Sequence, residues 1–169
     1  MKTITQATVA HLTAPGFWLR LSEENGALVQ IEFLTEAPAI PIQPLSHTLL
    51  AETARQILAW FENPAFVFDL PMQPHGTDFR QRVWAQIAAI PLGYTRTYGD
   101  IAKALNSAPR AVGQACGDNP FPIIVPCHRV VSVSGLGGFN HSAGASLAKI
   151  KRWLLAHEAQ ALRQEPFSK

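Results

Sequence analysis

The sequence predicts an α+β (mixed α/β) protein, with a small N-terminal α/β domain over residues 1–73 and a mainly helical domain over residues 74–169. Three observations predict it. Phe17, Leu19 and Leu21 alternate with polar positions, as do Val29, Ile31 and Phe33, and Glu24-Asn25-Gly26 between the two runs supplies a turn, so the front of the chain reads as a hairpin. After Thr77, Phe79, Val83, Trp84 and Ile87 fall on one helical face, and further helix-spaced runs follow. Between these regions, Pro71-Met72-Gln73-Pro74-His75-Gly76 has the composition of a linker.

Another strand is expected within Thr3 to Leu12, ahead of the hairpin. The stretch from Ala37 to Pro44 holds too many prolines for regular structure and is read as a connection. Ser46 can cap a helix running to about Asn63, with Leu50, Ala54, Ile57, Leu58 and Phe61 at helical spacing, and Pro64 ends it. Phe66-Val67-Phe68 then reads as a short strand. In the back half, Thr77 caps a helix whose face carries Phe79, Val83, Trp84 and Ile87 and which stops at Ile90-Pro91-Leu92-Gly93. Thr97 caps a short helix from Tyr98 to Leu105, and Asp100 lies in its first turn, where the helix dipole favours an acid. Asn106-Ser107-Ala108 breaks that helix, and Pro109 fits the first position of another reaching about Gly117. A last helix from about Gly144 to Leu162 sets Leu147, Ile150, Leu154, Leu155 and Leu162 along a broad apolar stripe. His11, His47 and His75 have no carboxylate or cysteine placed to pair with them and read as surface or turn residues.

An apolar fraction of 47% with 15% charged residues describes a soluble globular protein. No apolar run approaches the roughly 18–20 residues that span a bilayer, and the N-terminus has no secretory pattern, so no membrane partner and a cytoplasmic location are expected. The two cysteines, Cys116 and Cys127, form no Cys-x-x-Cys pair and the histidines are scattered, so neither a disulfide framework, a metal site nor a cofactor is expected. The net charge of +2 hides an asymmetry. Residues 1–77 carry three Lys/Arg against seven Asp/Glu, whereas residues 78–169 carry eleven against five. A basic back half points to a polyanionic partner.

The two short helices around Asn106-Ser107-Ala108 form a helix-turn-helix candidate within that basic half. A helix that reads bases in the major groove brings several Asn, Gln, Arg or Lys to the base edges. Arg110-Ala111-Val112-Gly113 brings one long cation and small side chains, which suits close backbone approach to DNA with Arg110 inserting or binding phosphate.

Ile124-Val125-Pro126-Cys127-His128-Arg129-Val130-Val131 sets a thiol beside an imidazole at the end of an apolar run. A thiol is mostly protonated at neutral pH, and a neighbouring base or positive field decides whether it reacts. Neighbours on an extended strand point to opposite faces, so Cys127 and His128 can meet only at a bend, which Pro126 could supply; the alternative is a buried, inert thiol. Downstream, Gly135-Leu136-Gly137-Gly138-Phe139-Asn140 has no Gly-Lys-Ser/Thr and is read as the wall of a pocket rather than a phosphate loop. Glu158 falls within the apolar stripe of the last helix, where a carboxylate is costly unless paired; a histidine is a suitable partner, and His157 or Lys151 are competing ones.

Asn119-Pro120 and the Pro-Cys-His-Arg segment, with Thr97-Tyr98 and Arg110-Ala111-Val112-Gly113 upstream and Leu154-Leu155-Ala156-His157-Glu158 downstream, resemble the O6-alkylguanine-DNA alkyltransferase family. The resemblance runs from Gly76 to Glu158 and implies a winged helix-turn-helix-like DNA-binding unit. It implies irreversible, stoichiometric transfer of a methyl or alkyl group from O6-alkylguanine in duplex DNA to Cys127, with the base flipped out through minor-groove binding and O4-alkylthymine as a candidate second substrate. Carried over residue by residue, Cys127 is the acceptor, His128 the base acting through a water, and Glu158 the group that orients the imidazole. Tyr98 assists protonation of the departing guanine, Arg110 fills the gap in the stack, and Asn119 braces the active-site turn. The DNA-contacting set comprises Arg110, Ala111, Gly113, Tyr98, Ser142 and Arg129, with Ser142 the residue that could reach the guanine oxygen. The loop after Phe139 departs from the family, and His141 is an addition without an assigned role. A stand-alone protein, monomeric without DNA, is expected, because the cysteines of a fused zinc module are missing. A sequence-specific regulator would need more base-reading side chains, and a cysteine hydrolase would need an oxyanion hole, of which there is no sequence sign.

Overall fold

The computed structural model describes residues 7–141 and 144–164. Strands β1 (Thr8–Ala14), β2 (Phe17–Glu24) and β3 (Ala27–Leu34) form an antiparallel meander. Its second turn is the expected Asn25-Gly26, both at positive φ (51° and 76°), a backbone that matches the twist of the flanking strands. Residues 3–6, where a first strand was expected to begin, lie outside the described residues. Both sheet edges are covered. His11 N–H donates to the Ile42 carbonyl on one side; on the other, β3 exchanges hydrogen bonds with Pro71 and Gln73, and Ile31 N–H donates to the Pro120 carbonyl.

Helix α1 (Leu49–Glu62) lays Leu50, Ala54, Ile57 and Trp60 on the core. Three details differ from the sequence reading. The cap is Thr48, whose Oγ1 accepts from Ala51 N–H, and not Ser46, because His47 at φ 64° takes the chain through a turn first. Phe66-Val67-Phe68 is no strand: Phe66 N–H turns back to the Asn63 carbonyl after α1, and at the other end of the segment the Gln56 side-chain amide accepts from Asp69 N–H and donates to the Asp69 carbonyl. His11 is buried on β1 and its Nδ1 accepts from Ile42 N–H, so it ties the proline-rich connection to the sheet rather than facing water.

The back half consists of α2 (Asp78–Ala88), β4 (Arg96–Thr97), α3 (Tyr98–Ala104), α4 (Pro109–Gly117), a 3₁₀ turn at Cys127–Arg129, β5 (Val130–Val131) and α5 (Ala145–Gln164). The caps lie where expected. Thr77 Oγ1 accepts from Arg80 N–H, Thr97 and Asp100 form a reciprocal capping box, and Pro109 opens α4. Trp84 of α2 donates its indole N–H to the Ala115 carbonyl of α4, and Val112 turns into the core, so the outer edge of α4 carries Arg110, Ala111, Gly113 and Gln114. Strands β4 and β5 pair in parallel, joining the start of α3 to the end of the Cys127 turn. On α5, Trp153 packs edge-to-face on Phe17 (5.8 Å) and Phe61 (5.7 Å) and stacks on His157 (4.8 Å). One apolar core therefore runs from the sheet through α1 to α5 and under the Cys127 turn. Among the described residues, no helix is long and apolar enough to cross a membrane.

Candidate active site

The segment before Cys127 is held by one side chain. Asn119 accepts from Phe121 N–H through Oδ1 (3.0 Å) and donates to the Val125 carbonyl through Nδ2 (2.8 Å), closing the loop across its base. Within that loop Ile123 sits at φ 76° and is buried, a strained conformation for a β-branched side chain that the surrounding packing enforces. The chain then bends: Cys127 N–H donates to the Val125 carbonyl and Arg129 N–H to that of Pro126. The 3₁₀ turn places Cys127 on the wall of a cavity of about 570 Å³ and sends His128 and Arg129 into the interior.

Glu158 of α5 receives both. His128 Nε2 lies 2.7 Å from Oε1, and Arg129 donates from Nη2 to Oε1 (2.8 Å) and from Nε to Oε2 (3.0 Å), while its Nη1 donates to the Ile90 carbonyl (2.6 Å). Burial alone would raise the Glu158 pKa, but hydrogen bonds and charge from His128 and Arg129 outweigh it and hold the carboxyl at about 2. Burial lowers the His128 pKa, against the pull of Glu158, so the imidazole is neutral at pH 7. An ionised Glu158 at Nε2 fixes the tautomer with the proton there and leaves Nδ1 as a base; Nδ1 has no hydrogen-bond partner among the described residues. The competing partners for Glu158 are engaged elsewhere, His157 on Trp153 and Lys151 at the cavity.

Burial raises the Cys127 pKa, opposed by the Asn119 side chain, by the charge of Lys151 and by the backbone N–H groups of Cys127 and His128. The resting group is a thiol. Lys151 is itself fully buried, its pKa lowered to about 8 by burial; Nζ donates to the Gly138 carbonyl (2.9 Å) and lies 3.4 Å from the Tyr98 hydroxyl. Tyr98 also donates to Gly138 (3.0 Å), and burial followed by the two nearby thiols raises its pKa, keeping it a proton donor. The glycine-rich stretch is a cavity wall as expected: Gly138, Phe139, Asn140 and His141 line it. Gly137, at φ 72°, is closely approached: a Cβ there would fall 3.0 Å from the Tyr98 ring and 3.2 Å from Ser132 N, a tight fit on a backbone that favours glycine.

Cys127 and Tyr98 line the cavity, with Arg110 and Gly113 along one side, Ala111 half-buried beside them, and Asn119 and the His128–Glu158 pair behind. Ser142 lies outside the described residues. Arg129 corrects the sequence reading: its guanidinium is turned inward onto Glu158 and Ile90, so it is an internal tie and not a DNA-facing group. Two residues were missed. Lys151 had a signal, since Leu147, Lys151, Leu154 and Glu158 share one helix face. Cys116 had none beyond being a second cysteine, yet it lines the same cavity; burial and then the charge of Cys127 raise its pKa to about 12. Among the described residues no group of three or more His, Cys, Asp or Glu could hold a metal ion.

Comparison with known proteins bears on this geometry. Residues 78–160 match the family model described as 6-O-methylguanine DNA methyltransferase, DNA binding domain. The methylated-DNA–protein-cysteine methyltransferase of Archaeoglobus fulgidus is 44% identical over 103 residues, covering 59% of this chain and 70% of that one. The O6-methylguanine methyltransferase of Mycobacterium tuberculosis superposes with a TM-score of 0.76 at 33% identity, over 92% of this chain and 94% of that one. Mycobacterium tuberculosis OGT in complex with DNA superposes with a TM-score of 0.73 at 34% identity, over 90% and 93%.

Proposed function

The chain belongs to the methylated-DNA–protein-cysteine methyltransferase family, and from that premise we propose that Cys127 is the residue on which its transfer reaction ends. The protein repairs O6-methylguanine in DNA by moving the methyl group to a cysteine. One observation favours Cys127 over Cys116, which lines the same cavity: Cys127 precedes a fully buried, neutral imidazole whose Nε2 is tied to an ionised carboxylate, whereas the imidazole near Cys116, that of His141, is half exposed.

In this reading the modified guanine swings out of duplex DNA into the cavity, and Arg110, at the exposed start of α4, takes its place in the stack. Approach is from the minor groove, which suits the small edge of Ala111 and Gly113. The Cys127 proton passes to His128 Nδ1 through a water, and Glu158 steadies the imidazolium. Sγ attacks the alkyl carbon, the carbon–O6 bond breaks, and the guanine leaves as Tyr98 supports its protonation. Asn119 holds the turn throughout. The S–C bond formed is a thioether, a bond that water does not cleave at neutral pH, so each molecule reacts once. The reacting groups fall in residues 74–169, the second of the two domains we assign. The partner is duplex DNA bearing O6-alkylguanine, with O4-alkylthymine a candidate second substrate; the protein meets it as a monomer, in the cytoplasm, where both thiols stay reduced.

Duplex DNA with a labelled O6-methyl group tests this. One label per protein molecule should appear on Cys127, and Cys127→Ser should take none while still binding DNA. Label on Cys116, or label released with repeated turnover, would overturn it.

A further inference from the structure

His141 is the feature that this chemistry leaves unused. Its Nε2 lies 2.8 Å from Oδ1 of Asp118, whose other oxygen pairs with Arg80 of α2 at 2.5 Å. Asp118 stands at the C-terminus of α4, where the helix dipole disfavours an anion, and the last turn of α4 holds no basic residue. The compensating groups come from two other elements, one of them the cavity wall. The His141 ring also lies against Gly117: a Cβ there would fall 2.4 Å from Nδ1 and 2.5 Å from Cε1. Asn140 and His141 are both left-handed (φ 52° and 59°), a costly pair of conformations that needs fixed surroundings.

The wall is thus a four-residue strap held at both ends. Its inner end is the Gly138 carbonyl, gripped by Tyr98 and Lys151; its outer end is His141 on Asp118. Between them Phe139 packs against Phe33, 5.3 Å away, and lines the cavity together with Asn140. We propose that His141, seated on Gly117 and bonded to Asp118, is a positioning residue for the transfer: it fixes the outer end of the 138–141 strap to the end of α4, so that this wall of the cavity is in place when the modified base enters. The proposal rests on the reading of Cys127 as acceptor. It acts through geometry, because displacing a positioned wall by about 1 Å is enough to slow a reaction many-fold.

The test is single-turnover transfer from duplex O6-methylguanine over a range of DNA concentrations. For His141→Ala the saturating rate constant should fall about tenfold, with the half-saturating DNA concentration within about twofold of wild type. His141→Gln, which keeps a donor for Asp118, should recover most of the rate. Gly117→Ala adds a good helix former yet evicts the ring, so it should slow transfer as His141→Ala does, and the double variant should be no slower than either single one. A wild-type rate for His141→Ala, a change confined to half-saturation, or multiplying losses in the double variant would overturn the positioning role. Failure of the wild-type protein to label Cys127 would overturn the underlying reading instead.

Discussion

Glu158 is a carboxylate with two donors and almost no water, and its charge does two things at once. It fixes the His128 proton on Nε2 and neutralises an Arg129 that is tied to the Ile90 carbonyl. Glu158→Gln keeps the shape but must turn an NH₂ toward donors, His128 Nε2–H on one side or Arg129 Nε–H on the other. The expected outcome is a transfer rate lowered by about 100-fold, read in the single-turnover assay; an unchanged rate would remove Glu158 from the relay. A pH dependence accompanies it. Glu158 is held at about 2, below its ordinary 4.5, and His128 below its ordinary 6.5, so the unfolded chain binds both protons more tightly. The contribution of these two groups is therefore fully present only above about 6.5 and is lost as the pH falls, first through His128 and then through Glu158 down to about 2. In Glu158→Gln the decline below 4.5 should flatten, which urea melts across pH 3–7 would show. The residue types alone left Cys127 either activated or inert and Glu158 with three candidate partners; the family resemblance grouped Cys127, His128 and Glu158, and the structure brings the last two within 2.7 Å. The sequence could not give directions, and so Arg129 was assigned outward when its guanidinium is the second partner of Glu158.

Elements were legible where their signals are local. Thr97 and Asp100 lie three residues apart and satisfy each other's orphan donors, Pro109 needs no N–H at the first position of α4, and Asn25-Gly26 carries its own turn. They failed where a distant group took over the backbone, as the Gln56 amide does at Asp69, and where a left-handed residue, His47, moved the cap two positions on to Thr48. The capping box of α3 has more than local weight, because Tyr98 is the first helical residue after it. Thr97→Ala should cost about 1 kcal/mol and lower Tm by about 2–4 °C. The rate should fall further than stability alone explains, since a frayed first turn frees the Tyr98 hydroxyl from Gly138. Equal Tm values for the two proteins would show that the box contributes nothing to α3.

At the scale of the whole molecule, the charge asymmetry and the helix pair anticipated a DNA-binding half, but nothing in the pattern of the last helix said that it would span the front and back of the chain. Its apolar stripe reads the same whether it packs within residues 74–169 or across to the sheet. The distinction lies in Trp153, which meets Phe17 of β2 and Phe61 of α1 from a helix that also carries Lys151 and Glu158. The N-terminal sheet is therefore the seat on which two of the site's charged groups are aligned. Trp153→Ala should cost about 3 kcal/mol, and so lower Tm by roughly 6–12 °C. At a temperature where the variant remains folded, transfer should be slower than wild type, because α5 can shift and Glu158 loses register with His128 and Arg129. Phe17→Ala, at the far end of the same contact and with no atom in the cavity, should slow transfer in the same way. Loss of stability without loss of rate in both variants would show that the front of the molecule supports the fold alone and leaves the alignment of the site to the back.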